Sequence, residues 1–247
     1  MMGQPAQPTS TLKIIYQNIA GWENNKNAHR RYLAKYNPDV LLFADTGAKN
    51  EDKIKFHPYI CHQWNTEEEH SGVAILIRKN IRHKRINQSR FKHDTIAVRV
   101  ETTTGYVIIG TNYHPPRRES LPYEDLDWFN SHSLPCYLFA DLNAHHNMFP
   151  FHAISSGKPK QKGKALYEQY IENNRLKRIG PNFATVWAPN SERGTSPDIF
   201  LTNRHTYHNF HHEPMDANCS DHIPAKAIIS CKPITRTIRK PNINKAD

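Results

Sequence analysis

Six short polar clusters stand where apolar runs begin or end: Gln17–Asn18, Asp45–Thr46, Asn112–His114, Asp141–Asn143, Asp198 and Ser220–His222. Between them they offer carboxylates, carboxamides, a phenol and an imidazole. Carboxylate and carboxamide oxygens are hard donors, suited to Mg²⁺ or Mn²⁺ ions that keep several waters. An imidazole paired with a carboxylate has a fixed tautomer, or stays protonated beside an anion. Phosphodiester hydrolysis needs a nucleophile, stabilised charge on the phosphoryl oxygens and help for the leaving oxygen, and these side chains could supply all three. Any one cluster reads as an ordinary turn. Six in this order are harder to read that way.

The elements that must position these groups follow from periodicity. Apolar runs bounded by turn residues predict strands at Leu12–Tyr16, Val40–Ala44, Val73–Ile77, Thr95–Val100, Tyr106–Thr111, Cys136–Ala140, Asp198–Leu201 and Ala225–Ser230. Helical patterns cover Ala28–Tyr36, Tyr123–Ser131 and Gly163–Leu176. Strands outnumber helices and are often a hairpin apart, as across Glu101–Gly105, so the chain is mixed α/β rather than a regular βαβ repeat. Four clusters follow their strands, whereas Asp198 opens one and Ser220–His222 precedes another. If those two run antiparallel to the rest, all six reach one edge of the sheets on rigid strand ends.

Composition sets the outer bounds. With 247 residues and 37% hydrophobic content, the chain can bury one large core. No apolar run approaches a membrane span. A formal charge of +10 favours a polyanionic partner. Cys61, Cys136, Cys219 and Cys231 are widely spaced without a CxxC pair, as expected of free thiols in a reducing compartment. Residues 1–10 read as a disordered leader, 11–231 as one domain, and 232–247 as a basic tail or the start of a linker.

The blocks Gln17–Asn18, Asp45–Thr46, Tyr113-His114-Pro115-Pro116, Asp141-Leu142-Asn143-Ala144-His145, Ser196-Pro197-Asp198 and Ser220-Asp221-His222 resemble the exonuclease–endonuclease–phosphatase superfamily. The match runs from about residue 12 to 231 and looks most like the apurinic-type endonuclease domain of LINE-like (non-LTR) retrotransposons. The resemblance implies a four-layer α/β sandwich with two central mixed β-sheets flanked by helices. It implies a Mg²⁺ (or Mn²⁺) site at Asn18, Asp45 and Asp221. Asp141 would activate water, Asn143 would hold the scissile phosphate, His222 would contact it with Asp198 behind, and Tyr113 would lie against the phosphate or leaving oxygen. The family normally carries Glu where this chain has Asp45, one methylene shorter, which puts metal geometry in question. The implied activity is nicking of a double-stranded DNA target in the nucleus to leave a 3′ hydroxyl for reverse transcription. The chain would then be continuous with a reverse transcriptase in a longer polyprotein. The alternatives are a repair-type apurinic endonuclease, a phosphoesterase of the same superfamily, or a catalytically weakened DNA-binding module.

Contacts to DNA would come from Arg117 and Arg118 after the stiff Pro115–Pro116 pair, from Lys160, Lys162 and Lys164, and from Ser220. A hairpin over Thr185–Ser196 would project Thr185, Trp187, Asn190 and Arg193 toward a groove, as its equivalent does in similar retrotransposon endonucleases. Basic runs at Arg78–His93 and Lys232–Lys240 are either solvated faces or backbone contacts. The histidines at 205, 208, 211 and 212 with Cys219 lack zinc-finger spacing and read as a polar loop. Trp22, Trp64 and Trp128 read as packing residues.

Overall fold

A computed structural model describes residues 11–68, 70–151, 161–187, 194–203 and 210–237. The strands in chain order are β1 (Leu12–Asn18), β2 (Val40–Ala44), β3 (Tyr59–Trp64), β4 (Val73–Arg78), β5 (His83–Arg85), β6 (Asp94–Thr102), β7 (Gly105–Tyr113), β8 (Cys136–Asp141), β9 (Lys177–Gly180), β10 (Val186–Trp187), β11 (Gly194–Thr195), β12 (Asp198–Thr202), β13 (Phe210–Pro214) and β14 (Ala225–Ile229). The helices are α1 (Trp22–Tyr36), α2 (Tyr123–Ser131) and α3 (Gln161–Leu166). Among the described residues they build two six-stranded sheets, ordered β13-β14-β1-β2-β4-β3 and β5-β6-β7-β8-β12-β9. β1 is parallel to β2 and β7 to β8, with the remaining pairs antiparallel.

Strands β2 (VLLFA) and β8 (CYLFAD) are buried on both faces, as central strands with continuous apolar runs should be. The inner faces meet in one core, with Ile14, Tyr16, Leu42 and Ile75 from the first sheet against Val98, Ile109, Phe139 and Phe200 from the second. Outside, α1 brings Trp22 and Tyr32 onto Ile15, Leu41 and Phe43. α2 brings Leu126 and Phe129, and α3 with the helical turn that continues it brings Leu166 and Tyr170, onto Ile108 and Leu138. The result is the expected four-layer α/β sandwich.

Two departures in the helices have local causes. α1 begins six residues earlier than its pattern suggested, because the polar run after Trp22 hides the periodicity while Trp22 itself is only 3% exposed. The third helix starts at Gln161 and widens into a π-helical turn at Tyr167–Ile171, so it ends short of Leu176. Gly163 lies in its first turn, directly on the backbone of the loop after β8. A Cβ there would lie 1.6 Å from the His145 carbonyl oxygen.

Sequence periodicity missed β3, β5, β9 and β13, and these are the four edge strands of the two sheets. Edge strands are half-solvated and polar, which erases the alternation that marks a buried strand. β13 is the clearest correction. Its sequence, Phe210-His211-His212-Glu213-Pro214, read as a polar loop but pairs with β14 along its whole length. Beyond β14, residues 232–236 turn back over the end of β6: the Arg82 N–H donates to Ile234, and Ile234 N–H to Glu101. All four cysteines are free. Among the described residues no helix is long and apolar enough to cross a membrane.

Candidate active site

β12 runs antiparallel to β8, and β14 antiparallel to β1, so the polar clusters do arrive at one edge. In the second sheet Tyr113, Asp141 and Asp198 are register neighbours across three strands. In the first, Asn18 ends β1 opposite Ala44, one residue before Asp45. The groups meet at the seam between the sheets.

His222 Nδ1 lies 2.9 Å from Asp198 Oδ2, and its Nε2 lies 4.0 Å from Asp141 Oδ2. The other Asp198 oxygen accepts a 2.8 Å hydrogen bond from the Tyr16 hydroxyl. Asn18 Nδ2 donates to Asp141 Oδ2 at 2.8 Å. Asp141 Oδ1 accepts from the backbone N–H of Asn143 (3.2 Å) and from its side chain (2.9 Å). Asn143 can fold back this way because its φ is +49°, a left-handed conformation that Asn tolerates. The carboxylate at the centre of the site is therefore fixed by donors on both sides.

These contacts set the charge states. Burial pushes the Asp141 carboxyl up and Asp198 adds to that, partly offset by His222 and Asn18. For His222, burial alone would lower the pKa. Asp198, by charge and hydrogen bond, overcomes it and with Asp141 and Asp221 lifts the value to about 9. At neutral pH the imidazole is thus a cation between carboxylates. Burial first, then Asp45 and Asp141, keep the Tyr113 phenol protonated.

Asp45 stands slightly apart. It adopts φ +49°, and its Oδ1 is buried without a hydrogen-bond partner. Its Oδ2 is 3.5 Å from His70 Nδ1. Burial raises the Asp45 pKa, His70 lowers it, and the neighbouring charge of Asp221 raises it again. Asp221 itself is exposed. A hollow of about 450 Å³ opens beside Asp45, with Glu23, Glu67, Glu68 and His70 on its walls. A buried carboxylate oxygen lacking a donor, in a residue that shares a hollow with further acidic side chains, fits a hard divalent cation. Asp141, Asp198 and His222 also bring ligand atoms within 4.8 Å of one another, but hydrogen bonds already engage these groups. The Asp45 side is the better cation position. The Asp45 loop is tight: Thr46 and Gly47 N–H groups donate to Gly72 and Ser71, and Gly72 is at φ +90°.

Several supporting residues carried no sequence signal. Tyr16 reads as one more apolar residue in the run Leu12–Tyr16, yet it holds Asp198. Asn218 pairs with Gln17 through two hydrogen bonds, and Gln17 also donates to the His222 carbonyl. Ser220, by contrast, was expected from the sequence as a DNA contact; its Oγ donates to the Asn18 carbonyl and accepts from the His222 N–H, so it braces the loop.

The expected DNA-contact residues divide. Arg117 and Arg118 are on the surface, both paired with Glu68. Lys164 is exposed beside Glu168. Lys162 is a correction: it is 6% exposed, and its amine reaches the Pro115 carbonyl at 3.4 Å, supporting the loop after Tyr113 from within. Thr185 is likewise buried, its backbone tied to Thr195 and Ile223. The hairpin is present as the β10–β11 ladder, and Trp187 on it is 47% exposed. Lys160, Asn190 and Arg193 lie outside the described residues. Trp22 is core and Trp128 packs on Phe91, but Trp64 is 37% exposed at the site end of β3.

The profile described as the "Endonuclease/Exonuclease/phosphatase family" matches residues 15–222. No curated protein sequence matches the chain significantly. Among solved structures, the AP endonuclease LMAP from Leishmania major superposes with TM-score 0.69 at 13% identity, covering 90% of this chain and 89% of that one. The endonuclease domain of TRAS1, a telomere-specific non-LTR retrotransposon, gives TM-score 0.69 at 12% identity, covering 89% and 98%. The Xenopus laevis APE2 catalytic domain gives TM-score 0.65 at 16% identity, covering 92% and 94%. At such identities the likeness is one of fold.

Proposed function

Since the chain belongs to the endonuclease/exonuclease/phosphatase family, we propose that it is a Mg²⁺- or Mn²⁺-dependent endonuclease that nicks one strand of double-stranded DNA and leaves a 3′ hydroxyl. The observation that carries this reading is the cluster of Asp141, Asp198 and His222 beside the unpartnered Asp45 oxygen. Asn18, Asp45 and Asp221 would hold the metal, which would supply positive charge to the phosphoryl oxygens. Asp141, its carboxylate aligned by Asn18 and Asn143, takes the proton of the attacking water. Its raised pKa makes it a stronger base than a solvated carboxylate. His222 enters as imidazolium and stabilises charge on the phosphoryl oxygen, while Asp198 fixes the ring and its charge. Asn143 orients the scissile phosphate, and the protonated Tyr113 faces the phosphate or leaving oxygen.

The DLNAHH and SDHIP sequence blocks, with a retrotransposon endonuclease among the fold neighbours, support a role in priming reverse transcription within a longer nuclear polyprotein. Under that reading Trp187 meets a DNA groove, and Asn190 and Arg193, outside the described residues, are proposed to join it. An AP endonuclease of equal fold similarity keeps abasic-site cleavage as the second reading. The test is cleavage of supercoiled plasmid, an abasic duplex and a phosphoinositide, each with Mg²⁺, Mn²⁺ or chelator, followed by end-mapping. Metal-dependent relaxed plasmid with 3′ hydroxyl ends is expected. Plasmid cleavage undiminished by chelator, or turnover of the phosphoinositide alone, would overturn the assignment.

A further inference from the structure

Away from the catalytic edge, the sandwich has an open side where edge strands β3 and β5 face each other. His62 and His83 close the seam there, their Nε2 atoms 2.9 Å apart. His83 Nδ1 lies 2.8 Å from the Ile81 carbonyl, which fixes the proton on that nitrogen and leaves His83 Nε2 to accept from His62. Burial, then His83 and Arg85, hold His62 far below its ordinary pKa, at about 4. The pair is neutral, and the nearby cations disfavour a metal between the rings.

Over this seam lies a groove of about 630 Å³ whose walls carry Arg82, Lys84, Arg99 and Arg236 against a single acid, Glu101. Residues 232–236 deliver Arg236 to it by pairing with Asn80, Arg82 and Glu101. Lys84 and Arg99 are direct cross-strand partners. Like charges placed opposite one another cost stability unless an anion sits between them. The Arg99 guanidinium lies 4.6 Å over the ring of Tyr106, which is 42% exposed. Beyond β3 the basic surface continues through Lys53, Lys55, Lys79 and Arg85, which line a second hollow of about 700 Å³.

We infer that this groove is a second nucleic-acid site, one that binds a single strand: phosphates on Arg82, Lys84 and Arg236, and a base stacked at the Arg99–Tyr106 pair. The spread of exposed cations suits an extended polyanion better than a small phosphate compound. The exposed aromatic face selects a single strand, because a duplex offers no free base face. β6 separates this groove from the reacting centre, since its Asp94 end pairs with Tyr113 while the groove takes Arg99 and Glu101 near its other end. The nucleotides held here are therefore not the ones being cut.

The experiment is fluorescence anisotropy with labelled (dT)20, (U)20 and a 20-base-pair duplex (roughly 20 nucleotides spans one to a few such sites) in chelator across a salt series. The proteins are the parent, Arg82→Ala/Arg99→Ala/Arg236→Ala and Tyr106→Ala. The triple variant is expected to lose at least about tenfold in single-strand affinity, and its log Kd against log salt slope should fall by about 1.4, near 0.7 for each of the two lost phosphate contacts. Tyr106→Ala should cost roughly tenfold on single strands and nothing on the duplex. Both should nick plasmid at the parental rate and keep the parental Tm. Comparison of (dT)20 with (U)20 tells whether the strand is DNA or RNA. Single-strand binding unchanged in both variants overturns the inference. So does equal loss on duplex and single strand.

Discussion

Removing one oxygen atom, in Tyr16→Phe, tests how the site is held. The Tyr16 ring is buried against Phe139 and Phe200, so a phenylalanine fits the same space. Its hydroxyl is pushed far above its ordinary pKa by burial and then by Asp198, so it is a donor at any working pH. The loss leaves Asp198 Oδ1, in a residue 3% exposed, without the 2.8 Å donor it has now. A hydrogen bond to a buried charged acceptor contributes about 1.5–3 kcal/mol. In a domain of this size that corresponds to a Tm lower by about 3–12 °C. If about 1.4 kcal/mol of it is felt only in the transition state, through a less well oriented His222, kcat falls about tenfold with KM unchanged. Thermal unfolding and plasmid nicking on one preparation read both. Parental Tm and parental kcat together refute the claim that Tyr16 holds Asp198. A lowered Tm with parental kcat would leave the hydroxyl with a structural role alone.

Other perturbations separate chemistry from architecture. Asp141→Asn and His222→Ala should each lower nicking by about 10²-fold or more while DNA affinity persists, and a folded variant of either at the parental rate would remove it from the mechanism. Asp45→Glu lengthens the carboxylate toward the oxygen-rich hollow and should shift the metal titration, raising activity in Mg²⁺ relative to Mn²⁺. Superimposable titration curves would show that residue 45 does not reach the ion. Gly163→Ala forces a methyl group onto the His145 carbonyl, at about 1–3 kcal/mol for an overpacked contact, and should displace the loop bearing Asn143. Its nicking should fall even well below its Tm, as a temperature series would show.

What was legible in the sequence was whatever was buried on both faces or had turn chemistry at its end. Strand β2 and helix α2 have the bounds their patterns predicted, because one is entirely apolar and the other amphipathic between Pro122 and Ser133. The polar clusters stood out because each interrupts a strand. The four edge strands did not, since solvent on one side permits residues such as His211 and Lys84. Burial of polar groups was equally hidden: Lys162 and Thr185 look like surface residues until the loops that cover them are in place. Tyr16 was hidden for the opposite reason, its hydroxyl disguised by an apolar neighbourhood.

The bonds from Tyr16 to Asp198 and from Asn18 to Asp141 each run from the first sheet to the second. Neither sheet owns the site; it exists only while the two are in register with each other. A shift of one sheet by a fraction of an ångström would leave secondary structure and most of the core intact, yet would part the imidazole from its carboxylates. Turnover is therefore a sharper reporter of inter-sheet alignment than any spectroscopic measure of folding. Substitutions deep in the shared core, far from any reacting atom, should appear first as loss of rate, with thermal unfolding following only as they accumulate.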